Sequence, residues 1–456
     1  MKKKIVILSI LLLCIFFILY KLFYNNPNYS PISNCEAQSS WFPHSKTLSP
    51  VENDGSKFVT NCDFHQWSWQ KFLYLTRTDS NGKLKFENLI QVNNHMSPIG
   101  ATIVLDDVTQ AGTSSTLYDS NNKPIYYSIH VNASMYKFTN KYVKLFVDSC
   151  RVNKDSISQV KLHKLGLDTL TYPVGSFEVK TSWILASSLK KDSVDYYITN
   201  GKMKSTGVST RIALLGMHIV GRVINHPEFI WATYEHSNLA PIVKWPTNHK
   251  KSDTIPDSTQ VLSKKQHLFY SKGLRMNECC INPPKKTNQS FNNIFSLFEH
   301  GTQPYYAGIT KEAKKQDLDN LDNIRSINKS VKNKLDKEKG IWKNYSYTGS
   351  VWIDPKVSKL KPGNSSIGAL NAKNLRGSRA ISNVTMETYA QFDNPTTSRS
   401  LFTPSNSMNC FGCHGTADFH LNQGKNKNGS ANYNLALSHL FRNKLDTIMK
   451  IKKDKK

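Results

Sequence analysis

Cys410, Cys413 and His414 stand close together late in the chain, within "MNCFGCHGTADFHLN". At C-x-x-C-H spacing two thiols can add across two vinyl groups of one porphyrin while the adjacent imidazole turns onto its iron. The residues therefore predict one covalently attached haem c, with His414 as the proximal axial ligand. Paired cysteines serve two other chemistries. A zinc site would want a second pair of ligands at suitable spacing, which the adjacent Cys279 and Cys280 do not offer. A thioredoxin-like C-x-x-C belongs just after a strand in a βαβ unit, and the Asn-rich tail offers none.

The second axial ligand decides what such a haem does. Only 42 residues, 415–456, follow His414. That tail is too short to enclose a haem alone, so the upstream body must cap it. Met408 is tethered to the proximal side, Met449 falls in an amphipathic stripe that suits a core role, and His420 and His439 are both within reach. In the body the candidates are His218, in "LLGMHIVG", and His236, in "FIWATYEH". If these segments pair as a hairpin centred near Ile224 and Asn225, both histidines share a face about four residues out of register. At about 3.4 Å per residue that is on the order of 13 Å, too far to share one metal ion. One is then the distal ligand and the other a pocket residue, with His414 and His218 as the metal ligands. The competing reading makes each a core histidine hydrogen-bonded to backbone or to Glu228 or Glu235. His65 is a third candidate, and His226, before Pro227, reads as a turn residue. Trp67, Trp69, Trp183, Trp231, Trp342 and Trp352 suit a haem crevice or an ordinary core. Lys180 and Arg222 suit haem propionates or solvated surface charge.

The elements that must position these residues are legible as patterns. "ATIVLDDV", "YYSIHV", "SFEVKTSWIL", "VDYYITN", "RIALLGMHIVGRV" and "EFIWATYEH" are β-branched or aromatic runs with turn residues between them, which predicts strands from about 100 to 240. Leu318, Leu321, Ile324, Ile327, Val331 and Leu335 step by three or four, as an amphipathic helix requires, and Leu437, Leu440, Phe441, Leu445 and Ile448 make a second stripe. "YSYTGSVWI" predicts one more strand. The expected fold is α+β: a large β-rich body with amphipathic helices and a C-terminal haem c segment packed against it. Residues 22–60 read as a tether, 61–310 as the body with a polar insertion at about 244–290, 311–400 as a helix, strand and loop completing it, and 401–456 as the haem attachment segment.

The start, "MKKKIVILSILLLCIFFILYKLFYNN", is a cationic stretch followed by an apolar run over residues 5–20 with no A-x-A site behind it. Residues 1–21 are therefore a signal peptide or an N-terminal membrane anchor, and either exports the rest. In an oxidising compartment Cys35 and Cys62 make a reasonable pair, which leaves Cys150, Cys279 and Cys280. Lys and Arg outnumber Asp and Glu by 60 to 33, a net charge of +27, but the basic residues are scattered among Asn and Ser. That dispersal implies no nucleic-acid partner.

The segments "HQWSWQKFL", "SFEVKTSW", "LLGMHIVGRVINHPEFIWATYEHSN", "YSYTGSVW", "ISNVTMETYAQF" and "NCFGCHG", in that order, resemble a group of bacterial exported proteins described as cytochrome c family proteins. The resemblance covers 60 to 420 in patches. It implies a secreted haem c protein whose large β-rich domain accompanies the haem segment, and it points to His218, Glu235 and His236. Three functions then compete. The first is an exported mono-haem cytochrome carrying electrons in the periplasm or at the cell surface, with a redox protein or a small-molecule donor or acceptor as partner. The second is a haem enzyme of peroxidase or oxygenase type with an open distal site. The third is a binding module with a structural haem.

Overall fold

A computed structural model describes residues 34–100, 103–105, 116–153, 156–167, 170–243, 261–275, 290–291, 294–296, 298–302, 311–354, 375–385 and 439–454. The fold is α+β, as expected. Its sheet is built from β1 (Ile90–Val92), β2 (Pro98–Gly100), β3 (Ile103–Leu105), β4 (Tyr126–Val131), β5 (Phe177–Leu185), β6 (Ile198–Met203), β7 (Ser209–Val223), β8 (His226–His236), β9 (Tyr345–Ile353) and β10 (Leu375–Gly377). The spatial order is β10-β9-β8-β7-β5-β4-β1-β2, and β6 joins β7 to β3. All pairings in it are antiparallel except β3 with β6.

Strand β7 is the spine of this sheet. Its first residues pair with β6 and its later ones with β8, while β5 runs along the other edge. The branch through β6 and β3 is tied back to the far end of the sheet by one buried side chain. The Gln91 amide donates to Val104 O at 2.6 Å and accepts from Val104 N at 2.9 Å, taking the place of a ladder pair between β1 and β3. Strands β7, β5, β4, β1, β3 and β6 thereby form a closed ring.

Side chains alternate between the two faces of the sheet, and each face has its own helices. On one face lie α1 (Asn61–Thr76) and α3 (Lys311–Glu338). Phe64, Trp67, Phe72, Ile324, Ile327 and Val331 pack there against Val179, Trp183, Met217, Ile219, Tyr234 and Trp352. A Cβ at Gly221 would stand 2.4 Å from the Trp67 ring, so glycine is what allows α1 to lie this close to β7. Helix α1 opens with a capping box: Asp63 N donates to Thr60 Oγ1 at 3.4 Å and Thr60 N donates to the Asp63 carboxylate at 2.7 Å. Cys62, in its first turn, is disulfide-bonded to Cys35, the pairing the sequence suggested.

On the opposite face lie α2 (Ala133–Cys150) and α4 (His439–Asp454). Met135, Val143, Phe146, Leu440, Phe441 and Met449 pack there against Val131, Val220, Phe229, Trp231, Val351 and Ile353. Met449 is therefore a core residue, as its place in the stripe implied.

Two stretches differ from the sequence reading. Helix α2 falls within a stretch expected to be mostly strands. Its buried positions, Met135, Thr139, Val143, Phe146 and Cys150, do recur at helical spacing, but Tyr136, Phe138 and Tyr142 between them give the segment the aromatic density of a strand. Residues 34–60, read as a tether, include Trp41 at 1% exposure and Glu52, which holds Lys71 of α1 at 2.9 Å and accepts from Trp67 Nε1 at 3.0 Å. That end of the segment is part of the body. Among the described residues no helix is long and apolar enough to cross a membrane, and the apolar run at 5–20 lies outside them.

Candidate functional site

Strands β7 and β8 pair around a turn at Ile224 and Asn225, the hairpin the sequence suggested. The register sets His218 opposite Thr233, and on the other side of β7 it sets His218 opposite Lys180 of β5. Register partners share a face, so Lys180, His218 and Thr233 make one row, on the face that also bears α2 and α4. The neighbouring row holds Ser182, Gly216 and Glu235.

These two rows form a polar belt. On one side is the apolar cluster of α2 and α4. On the other is a cluster of Ile125, Tyr127, Ile184, Leu215, Phe269 and Val384. The belt is nevertheless buried: Ser182 is 0% exposed, Thr233 1%, His218 2%, Lys180 5% and Glu235 8%. Burying polar groups in mid-sheet is costly unless they are satisfied or used. Some are satisfied. Glu235 accepts the Val384 N–H, and Ser182 Oγ lies 3.0 Å from Thr385 Oγ1.

His218 is only half satisfied. Its Nδ1 lies 2.7 Å from Thr233 Oγ1, while its buried Nε2 has no hydrogen-bond partner among the described residues. Placing the proton on Nδ1 gives that proton an acceptor; placing it on Nε2 would bury an N–H with none. The imidazole therefore presents a bare Nε2 lone pair. Burial, and then the positive charge of Lys180, lower its pKa from 6.5 to about 3, which keeps it neutral. Burial also pushes Glu235 up to about 8 and Glu178, on the same face, up to about 7, so Glu235 is mainly a carboxylic acid at neutral pH.

His236 does not join this site. It is three residues beyond Thr233, which turns it to the opposite face, where it stacks on Tyr196 at 3.6 Å and meets Tyr345 edge-on. Both ring nitrogens are used: Nε2 donates to Asp195 O at 3.1 Å and Nδ1 accepts from Asn238 N at 3.2 Å. The expectation that it shares a pocket with His218 is corrected: the two are an odd number of positions out of register. His226 is corrected too, because it is a buried strand residue with Nδ1 2.6 Å from the Glu228 carboxylate. His65 packs against β9, its Nδ1 2.8 Å from the Tyr347 hydroxyl and its buried Nε2 without a hydrogen-bond partner among the described residues. Lys180 and Arg222 are buried, not solvated surface charges.

Sequence reasoning missed His130. It too has a buried nitrogen, Nδ1, unpartnered among the described residues, with Nε2 3.0 Å from Ser128 Oγ. It lies on the α1 and α3 side, inside the ring of strands and edge-on to Phe86. It missed Thr233 as well, although strand alternation from His218 could have found it once the hairpin register was fixed.

Cys410, Cys413 and His414 lie outside the described residues. The described segments that flank them in the chain are both on the face of the belt. Before them, Val384 and Thr385 are pinned by Glu235 and Ser182, and a Cβ on Gly216 would stand 2.6 Å from Thr385 Oγ1. After them, α4 packs on α2, with Phe441 and Phe146 ring centroids 5.6 Å apart. Among the described residues no group of three or more His, Cys, Asp or Glu side chains could hold a metal ion. A haem iron asks less of the body than that, since a single neutral, oriented imidazole completes its axial pair, and His218 fits that requirement. Comparisons with protein-family models, curated proteins and solved structures find no match.

Proposed function

We propose that the chain is an exported mono-haem c-type cytochrome that carries electrons in the periplasm or at the cell surface. Cys410 and Cys413 would hold the haem covalently, and His414 and His218 would be the ligands to its iron. When bound, the haem supplies the one-electron couple. The chain's own part is to fix one axial imidazole and exclude water from it. Thr233 holds the Nδ1 proton of His218, which sets the tautomer and the ring's rotation, and the two apolar clusters close off the belt around it. The carrying observation is the His218 imidazole, 2% exposed, oriented through one nitrogen and unpartnered at the other among the described residues, in the polar belt on the face to which both segments flanking the haem motif return. The resemblance to exported cytochrome c family proteins supports the same reading, as does the apolar run at 5–20, which exports the chain whether it is cleaved or kept as an anchor.

Attachment is tested by expressing the full chain with a cytochrome c maturation system and measuring mass and pyridine haemochrome. One haem per chain, lost in the double variant Cys410→Ser/Cys413→Ser, is the expected result. A wild-type chain that matures without haem overturns the proposal.

Glu235 supports a second reading. A carboxyl group that stays protonated near neutral pH, in the same belt as His218, suits proton delivery in a peroxidase-type enzyme with an open iron position. That reading requires a high-spin ferrous form that binds carbon monoxide and peroxide turnover that falls in Glu235→Gln.

A further inference from the structure

We propose that Arg222 and the N-terminus of α2 form a binding site for a small tetrahedral oxyanion such as phosphate, separate from the haem and independent of the reading of His218. Arg222 stands on β7 four residues beyond His218, on the same face of the sheet. Val220, between them, packs in the apolar cluster of α2 and α4, which divides the guanidinium from the polar belt. Arg222 is 9% exposed, and its Nε and Nη1 are buried with no hydrogen-bond partner among the described residues. An arginine stays charged in a protein, and a buried guanidinium is costly until an acceptor meets it. Glu228 is near enough for its charge to act on Arg222, but one of its oxygens is taken by His226 Nδ1 at 2.6 Å and Ile353 N at 3.3 Å. Its other oxygen has no hydrogen-bond partner among the described residues, so the two side chains are not joined.

The neighbours of Arg222 are donors. Its N–H donates to Ser176 O at 2.8 Å and its carbonyl accepts from Gly175 N at 2.8 Å, so Arg222 and Ser176 stand side by side with their side chains on the face under α2. There the fully buried Ser176 places its Oγ 3.1 Å from Ser134 Oγ, in the first turn of α2. Asn132, the N-cap, accepts from Met135 N at 3.0 Å and donates through Nδ2 to Gly175 O at 2.8 Å, which seats the helix end on the turn that leads into β5. The first N–H groups of an 18-residue helix have no intrahelical acceptor and carry the positive end of its dipole. A guanidinium from β7, a hydroxyl from the turn before β5, and a hydroxyl with N–H groups from α2 are thus brought together by three elements. A tetrahedral oxyanion can accept from donors in three directions, where a planar carboxylate would leave one unmet.

The test is a calorimetric titration of the full chain with inorganic phosphate, ionic strength held constant with sodium chloride, in wild type, Arg222→Met and Ser176→Ala. The expected result is one phosphate per wild-type chain and affinity at least about tenfold weaker in Arg222→Met, with a smaller loss in Ser176→Ala. Phosphate should also raise the urea midpoint of the wild type and leave that of Arg222→Met unchanged. A wild type that binds no phosphate means that water or Glu228 meets the guanidinium, and overturns the proposal. Undiminished binding in Arg222→Met overturns it too, as does a haem spectrum that shifts with phosphate, since the anion would then be at the iron. Ser176→Ala removes one hydroxyl and decides the matter if Arg222→Met fails to fold: wild-type affinity there counts against the site.

Discussion

The two faces of the sheet are built on different rules. The face under α1 and α3 is an aromatic core whose buried polar atoms are dispersed among the rings: Trp69 Nε1 donates to Asn328 at 2.8 Å, Trp67 Nε1 to Glu52 at 3.0 Å and the Tyr345 hydroxyl to Leu214 O at 2.8 Å, while His65 Nε2, His130 Nδ1 and Trp352 Nε1 have no hydrogen-bond partner among the described residues. The face under α2 and α4 has apolar clusters at its two ends and a buried polar belt between them, with a neutral imidazole nitrogen left over. The first arrangement is dominated by ring packing, and the second sets charged and polar side chains side by side. A fold that buries lysine, glutamic acid and histidine in mid-sheet forgoes the packing that aliphatic residues would give there, which fits a face shaped for a ligand.

The contrast can be broken most forcefully on the aromatic side. Trp352 is 0% exposed and stacks on Phe64 at 4.4 Å, so Trp352→Ala should cost about 3–5 kcal/mol in denaturant unfolding. A loss under about 1 kcal/mol would mean that this face is not the stabilising one. Next comes the Cys35–Cys62 disulfide, which spans 27 residues and fastens the N-terminal segment to α1. Cys35→Ser/Cys62→Ser should cost about 3 kcal/mol, with the wild type under reducing conditions matching the variant. A smaller loss, about 1–3 kcal/mol, is expected for Gly216→Ala, since the added Cβ would meet Thr385 Oγ1 and the Tyr234 carbonyl. It should also perturb the haem spectrum, because the chain runs on from Thr385 to Cys410. Gly221→Ala, which presses on Trp67 from the other face, should destabilise without that spectral change.

The gentlest probe is pH. The carboxyl of Glu235 is raised from 4.5 to about 8 by burial, so between those values the unfolded chain has released a proton that the folded chain retains. Stability then falls as pH rises through that window and levels off above it. His65, His130 and His218 run the other way. Burial lowers each from 6.5 to about 3, so the unfolded state binds protons the folded state refuses, and stability is lost as pH falls below about 6.5. Glu235→Gln should make the alkaline limb shallower, leaving the share that Glu178 contributes, and leave the acid limb intact, as read from urea midpoints between pH 5 and pH 8. A wild-type alkaline limb that is already flat would place Glu235 in contact with water.

Much of the fold could be read from local pattern. The stripe from Leu318 to Leu335 is a helix, "YSYTGSVWI" is a strand, and the turn at Ile224 and Asn225 closes the central hairpin. These are short-range signals that tertiary packing had no reason to override. Helix α2 was hidden by its own aromatics. In the site, His218 was legible because a histidine in an apolar strand is conspicuous, whereas the face of His236 depended on a register known only once β7 and β8 are aligned. Thr233 was legible as a neighbour of His218 only with the hairpin register, and Lys180 was not, since β5 and β7 pair across a longer stretch of chain. The environment of Cys410, Cys413 and His414 lies outside the described residues, so the haem assignment rests on their spacing and on the face to which the flanking segments return.

The central claim is that His218 is the iron's second axial ligand, and paramagnetic resonance of the ferric holoprotein tests it most directly. The account predicts a low-spin spectrum of bis-imidazole type in the wild type. It predicts conversion to high spin in His218→Ala, with the covalent haem retained and added imidazole restoring low spin. A low-spin spectrum unchanged by His218→Ala would contradict it.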